Sequence, residues 1–126
     1  MSQPELPPIL REQLARYDQA QQNLQAVLAQ KQQVELELSE TEKALEELGK
    51  ASDTETVYKF AGNLLLRVKK EDVMKELSEK KELANTRKMV LAKQESRFRE
   101  SLKDLQTKID DAVKPKASQK QAPGDA

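Results

Sequence analysis

The side chains that most often carry enzymatic or metal chemistry are scarce in this chain of 126 residues. It contains no cysteine and no histidine, which excludes thiolate nucleophiles, disulfides, imidazole bases and the usual zinc sites. Its many carboxylates could form an acid and base pair only inside a closed pocket that shifts their pKa values. We therefore expect neither catalysis nor a bound cofactor or metal.

Two short motifs imitate functional or capping sites. The run Gly49-Lys50-Ala51-Ser52 resembles the end of a phosphate-binding loop, but position 44 is alanine and an alanine follows the lysine. We interpret Gly49 as a left-handed residue that ends a helix. The run Ser39-Glu40-Thr41-Glu42 matches a capping box, yet it lies inside a continuous helical pattern. We expect its residues to be exposed helical residues.

Composition narrows the class of protein further. Charged residues make up 35% of the chain and aromatic residues 3%, and the formal net charge is zero, which disfavours both a thick core and a nucleic-acid partner. The longest apolar runs are Ala26 to Ala29 and Met89 to Ala92, far below the roughly 20 residues that span a bilayer. No signal-peptide core is visible. We expect a cytoplasmic protein without a membrane partner.

A heptad pattern runs through the first half of the chain. Alternate steps of three and four residues visit twelve positions, called the first seam, of which nine are apolar. Such a repeat keeps one helix face against a partner helix and predicts a coiled coil. Gln13, Lys31 and Thr41 are polar seam positions, which we interpret as tolerated rather than register-setting residues. The first seam consists of Leu10, Gln13, Tyr17, Ala20, Leu24, Val27, Lys31, Val34, Leu38, Thr41, Leu45 and Leu48.

Two short β-prone runs follow, at about residues 56–68, around a Gly-Asn turn. They predict one β-hairpin with two possible registers. A two-residue turn would group Val57, Lys59, Leu64, Leu66 and Val68 on one face. A three-residue loop would instead group Tyr58, Phe60, Leu64, Leu66 and Val68, which is the more apolar set, and the sequence leaves both registers open.

A second heptad seam follows the hairpin, after the acidic residues Glu71 and Asp72 that favour a helix N-terminus. Pairs such as Glu76 with Lys80 are spaced for local ion pairs on a solvated face. Apolar residues recur every seven positions, at Leu77, Ala84, Leu91, Phe98, Leu105 and Ala112, and are flanked by Val73, Leu83, Val90, Leu102 and Ile109.

The fold class that follows is mainly α, a long antiparallel two-helix coiled coil over residues 9–113 joined by one β-hairpin. Residues 1–8 and 114–126 are rich in proline or small polar residues, and we expect them to be disordered. The termini then lie together, away from the hairpin. A lone apolar hairpin is marginal in water and exposes strand edges, so we expect it to pair with other subunits.

This order of elements, with the hairpin Val57-Tyr58-Lys59-Phe60-Ala61-Gly62-Asn63-Leu64-Leu65-Leu66-Arg67-Val68, resembles the beta-type subunits of prefoldin. Alpha-type subunits carry an additional hairpin, for which this chain has no room. The resemblance implies a hexamer of two alpha-type and four beta-type subunits whose hairpins merge into β-barrels. It also implies an ATP-independent chaperone that captures unfolded proteins between its helix tips and passes them to a group II chaperonin.

Two sets of residues are candidates for these roles. Subunit assembly is assigned to the hairpin residues Val57, Tyr58, Phe60, Gly62, Leu64, Leu65, Leu66 and Val68. Client binding is assigned to the helix tips, at Ile9, Leu10, Leu14, Leu102, Leu105 and Ile109. Leu10 and Leu105 lie in the main seams, where closing the coiled coil is the simpler role. The alternative function is a non-chaperone coiled-coil adaptor or tether, which would not need an apolar hairpin.

Overall fold

The computed structural model describes residues 6–114, in the order α1 (Pro8–Lys50), β1 (Val57–Ala61), β2 (Leu64–Val68) and α2 (Lys70–Val113). The chain divides into two compact units. Unit 1 combines the chain up to Leu28 with the chain from Lys93 onward, and unit 2 comprises Ala29–Ala92. The disorder predicted for 1–8 and 114–126 falls mostly outside the described residues, although α1 already begins at Pro8.

Helix α1 confirms the first seam. All twelve seam positions are buried or half-buried, whereas nearly all others on the helix are exposed, as expected for a helix with one face against a partner. Thr41 is one of the buried residues, so the exposure predicted for the motif at 39–42 is wrong at that residue. Its hydroxyl donates to the Glu37 carbonyl at 2.7 Å, so the buried polar group is satisfied within its own helix.

The end of α1 differs from the prediction of a left-handed Gly49. The helix continues through Lys50, and Gly62 is the only described residue with a positive φ. The chain turns just beyond, where the Ala51 amide donates to the Leu48 carbonyl at 3.2 Å. The Lys70 amino group donates to the Ala51 carbonyl at 2.6 Å. A cation from α2 therefore lies at the negative end of the α1 dipole, and no left-handed residue is needed there.

Helix α2 places its second seam slightly differently from the prediction. It carries Glu71 and Asp72 in its first turn, as expected, but Leu83 and Val90 are exposed and Ala112 is exposed as well. Lys81 and Lys88 are the half-buried residues between the apolar heptad positions Leu77, Ala84 and Leu91. Long lysine stems can cover apolar surface while their ammonium groups stay in water. The buried or half-buried seam residues include Leu77, Lys81, Ala84, Lys88, Leu91, Phe98, Leu102, Leu105 and Ile109.

Within each unit the two helices run antiparallel. In unit 2, Glu37 of α1 lies 3.9 Å from Arg87 of α2, while Ala51 lies beside Lys70. In unit 1, one groove is lined by both Ala20 of α1 and Phe98 of α2. The buried side chains on these facing surfaces are small or aliphatic. Each unit therefore has a thin core confined to the helix seam.

The hairpin has the two-residue turn. Val57 pairs with Val68, Lys59 with Leu66 and Ala61 with Leu64. Gly62 has φ +60°, and no non-glycine residue among those described has a positive φ. A turn with a positive φ at its first central residue and not at its second is a type II′ turn. The twist of this turn suits a tight hairpin.

Candidate interaction surfaces

The hairpin has two faces of different character. In an antiparallel pair, directly opposed residues share a face. The helix face is formed by Val57, Lys59, Ala61, Leu64, Leu66 and Val68. The outer face is formed by Tyr58, Phe60, Leu65 and Arg67.

The outer face exposes large apolar side chains. Phe60 is 78% exposed, Tyr58 57% and Leu65 56%, although residues of these types normally lie inside a protein or at an interface. The helix face is partly covered near its base, where Val57, Lys59 and Val68 are half-buried. Toward the turn, Leu64 and Leu66 are exposed. Apolar surface is thus available on both faces of the sheet.

The strand edges of the hairpin are also open. The sheet among the described residues contains only β1 and β2, which pair with each other. Each strand therefore has one edge with no strand beside it. Backbone donors and acceptors along such an edge can pair with a strand from another chain.

Polar contacts hold the base of the hairpin to α2. Lys59 donates to the Glu76 carboxylate at 2.5 Å, so Glu76 pairs across the fold with Lys59 rather than with Lys80 as its spacing predicts. Lys70 contacts the Asp53 carboxylate at 3.4 Å in addition to the Ala51 carbonyl. These contacts join the loop before β1, the hairpin and α2 within unit 2.

The helix ends in unit 1 form the second candidate surface. Ile9 is 66% exposed and Leu14 is also exposed, whereas Leu10 is only 6% exposed. Leu102, Leu105 and Ile109 on α2 are half-buried. Leu10 therefore closes the helix seam, and Ile9 and Leu14 are the tip candidates that face water.

Two exposed apolar residues of unit 1 were missing from the sequence-based set. Leu6 precedes α1 and Val113 ends α2. Both lie within four residues of a candidate tip residue, and their position next to the helix ends could have identified them from the sequence.

In the adjacent seam, the side-chain oxygen of Gln13 is buried with no hydrogen-bond partner, which is an unfavourable place for a polar atom.

Grooves lined by charged residues lie beside both surfaces. The groove in unit 1 has a volume of about 390 Å³ and is lined by Phe98 and Leu105 together with charged Arg16, Asp104 and Lys108. The described residues contain no cluster of acidic side chains that could hold a metal ion. Neither long helix, within the part of the chain described, is apolar enough to cross a membrane. Exposed apolar side chains and open strand edges are features through which proteins bind other polypeptides.

Two long helices joined by an exposed hairpin define a class of coiled-coil interaction proteins, and comparison with known proteins specifies the family. The sequence profile described as "Prefoldin subunit" matches residues 11–116. The chain is 48% identical to prefoldin subunit beta of Archaeoglobus fulgidus, over 90% of this chain and 97% of that one. It is 39% identical to the Pyrococcus furiosus prefoldin subunit beta, over 87% and 94%.

A solved structure agrees with the sequence comparisons. The crystal structure of the prefoldin beta subunit from Thermococcus strain KS-1 has a TM-score of 0.79 and 39% identity to this chain, covering 88% of this chain and 97% of that one. The chain therefore belongs to the prefoldin family of chaperone subunits, and within it to the beta type.

Proposed function

We propose that this chain is the beta-type subunit of a hetero-oligomeric holdase that binds unfolded proteins without ATP and passes them to a group II chaperonin. The complex would contain two alpha-type and four beta-type subunits, with their hairpins merged into β-barrels. Family membership supports the chaperone class. The finer features rest on the two candidate surfaces.

The observation that carries the proposal is the exposed apolar hairpin. A hairpin with Phe60 and Tyr58 in water and two open edges is poorly stabilised alone. Strand addition from another subunit would satisfy the edges and cover the apolar side chains together. A simple tether would gain nothing from such a hairpin, which favours the chaperone over the adaptor.

Client binding is assigned to the helix ends in unit 1. Ile9 and Leu14 expose apolar side chains near the start of α1, and exposed apolar surface suits weak contact with many unfolded sequences. Several subunits acting on one client would raise the total affinity without any single strong site. The half-buried Leu102 and Ile109 would add to this surface when the helix ends fray.

The proposal is tested by co-expressing the chain with an alpha-type subunit and measuring the mass of the complex. The purified complex is then added to a denatured client, with and without ATP and a chelator. We expect a hexamer that suppresses aggregation equally in all conditions, because no phosphate-binding loop is present in the sequence. A strict requirement for ATP, or a chain that stays monomeric with its partner, would contradict the proposal.

A further inference from the structure

The ion pair between Lys59 and Glu76 joins the hairpin to α2. The residues are 17 positions apart, and the lysine nitrogen lies 2.5 Å from a glutamate oxygen. Lys59 belongs to the helix face of the hairpin, and Glu76 lies in the second turn of α2. The side chains remain 40% and 56% exposed, so this contact lies at the rim of the covered region.

The position of this pair shows which face of the hairpin is turned toward α2. Side chains alternate between the two faces of a strand, so a contact made by Lys59 places Tyr58 and Phe60 on the opposite side. The burial agrees with this orientation, because Val57, Lys59 and Val68 are half-buried while the outer face is exposed. Rotation of the hairpin about its base would break the ion pair.

We propose that Lys59 and Glu76 are a positioning pair that holds the hairpin in its assembly-competent orientation, with the outer face presented to the hairpin of another prefoldin subunit. The inference rests on the proposed function, because it assumes that the hairpin is the assembly surface. A hairpin already held in the bound orientation loses less conformational freedom when it pairs. The pair thus contributes to assembly without contacting the partner.

The pair should affect assembly more than it affects the stability of the single chain. Exposed ion pairs contribute little to folding, because water and salt screen them. Reversing one charge, however, places like charges where the hairpin meets α2 and favours other orientations. Each copy of the variant subunit in a complex carries the same defect, so the loss of assembly free energy adds up over all copies.

The test is a charge-swap series in the full chain, assembled with its alpha-type partner. The single variants Glu76→Lys and Lys59→Glu reverse one charge each, and the double variant restores an ion pair with opposite polarity. Glu79→Lys is the matched control, since it makes the same charge change on an exposed residue of α2 one turn further along. Assembly is measured as the dissociation constant by native mass spectrometry, and helix content by circular dichroism.

We expect each single variant to weaken assembly about fivefold or more per hairpin, corresponding to the upper end of exposed ion-pair energies. The double variant and Glu79→Lys should assemble like the wild type. The defect of the single variants should shrink at about 1 M salt, where the Debye length is only about 3 Å. Helix content should be the same in all variants.

Two outcomes would overturn the inference. Single variants that assemble as tightly as the wild type would show that the pair does not position the hairpin. A double variant as weak as the singles would show that the residues act separately. Failure of the proposed function itself is recognised by the wild type, which would then not assemble with an alpha-type subunit at all.

Discussion

Gly49 near the end of α1 and Gly62 in the hairpin turn have different backbone conformations. Gly62 has φ +60° at the first central position of the hairpin turn, whereas Gly49 lies within α1 without a positive φ. An added Cβ would meet no atom within 4 Å at either position. Backbone conformation alone therefore decides the effect of an alanine there.

Alanine substitutions at these glycines should change stability in opposite directions. Gly62→Ala should destabilise the hairpin by about 1–2 kcal/mol, the cost of a left-handed non-glycine residue. Gly49→Ala should stabilise α1 by about 0.5–1 kcal/mol, because glycine is a poor helix former. Hydrogen exchange of the β1 and β2 amides reports the first change, and the thermal midpoint by circular dichroism the second. Faster exchange in Gly49→Ala than in Gly62→Ala would contradict this assignment.

At the scale of elements, the hairpin should be needed for assembly but not for helix formation. Leu64 and Leu66 lie on the helix face yet remain exposed, so a partner subunit could still bury them. Replacing both with serine removes apolar surface worth about 1.5–3 kcal/mol per side chain if it is fully buried. We expect loss of the hexamer in native mass spectrometry with unchanged helix content.

The matched control replaces two exposed apolar residues of the helices with serine. Leu36 and Met89 lie in the same unit as the hairpin and are similarly exposed. Leu36→Ser combined with Met89→Ser should leave the hexamer intact. An intact hexamer with both hairpin leucines replaced would exclude the two helix-face leucines from the assembly surface.

At the scale of the whole molecule, assembly and client capture should be separable. Replacing Ile9 and Leu14 with glutamine removes the exposed apolar side chains from the start of α1 but keeps good helix formers. Deleting residues 1–14 and 103–126 removes both helix ends. Both variants should form an oligomer with the same number of subunits as the wild type, as judged from its mass. Client retention should fall in the point variant and further in the deletion, because all copies contribute to binding.

Aggregation suppression of a denatured client measures this separation. Leu36→Gln combined with Met89→Gln is the control, since it removes a similar exposed apolar area from unit 2. Full suppression by the truncated complex would move the client site away from the helix ends. An equal loss of suppression in the control would instead indicate a general effect of placing polar side chains on the helices.

The local patterns of the sequence determined the elements of this protein. The first seam predicted α1 because a repeat of 3.5 residues is a property of neighbouring positions, and all twelve residues are covered. Gly62 and Asn63 between two β-prone runs predicted a hairpin for the same reason. Resemblance to beta-type prefoldin subunits also followed from this order of elements, and the family comparison confirms it.

The tertiary structure decided what depends on residues far apart in the chain. The three-residue loop would group the more apolar set of side chains, and the sequence left both registers open. The structure has the two-residue turn, which directs Lys59 to the helix side, where its amino group contacts Glu76. Leu83 and Val90 have heptad spacing, yet the lysines two residues before each occupy the covered places. The strand register and the face that each element buries depend on contacts between elements. The spacing of apolar residues within one element does not determine the free energies of those contacts.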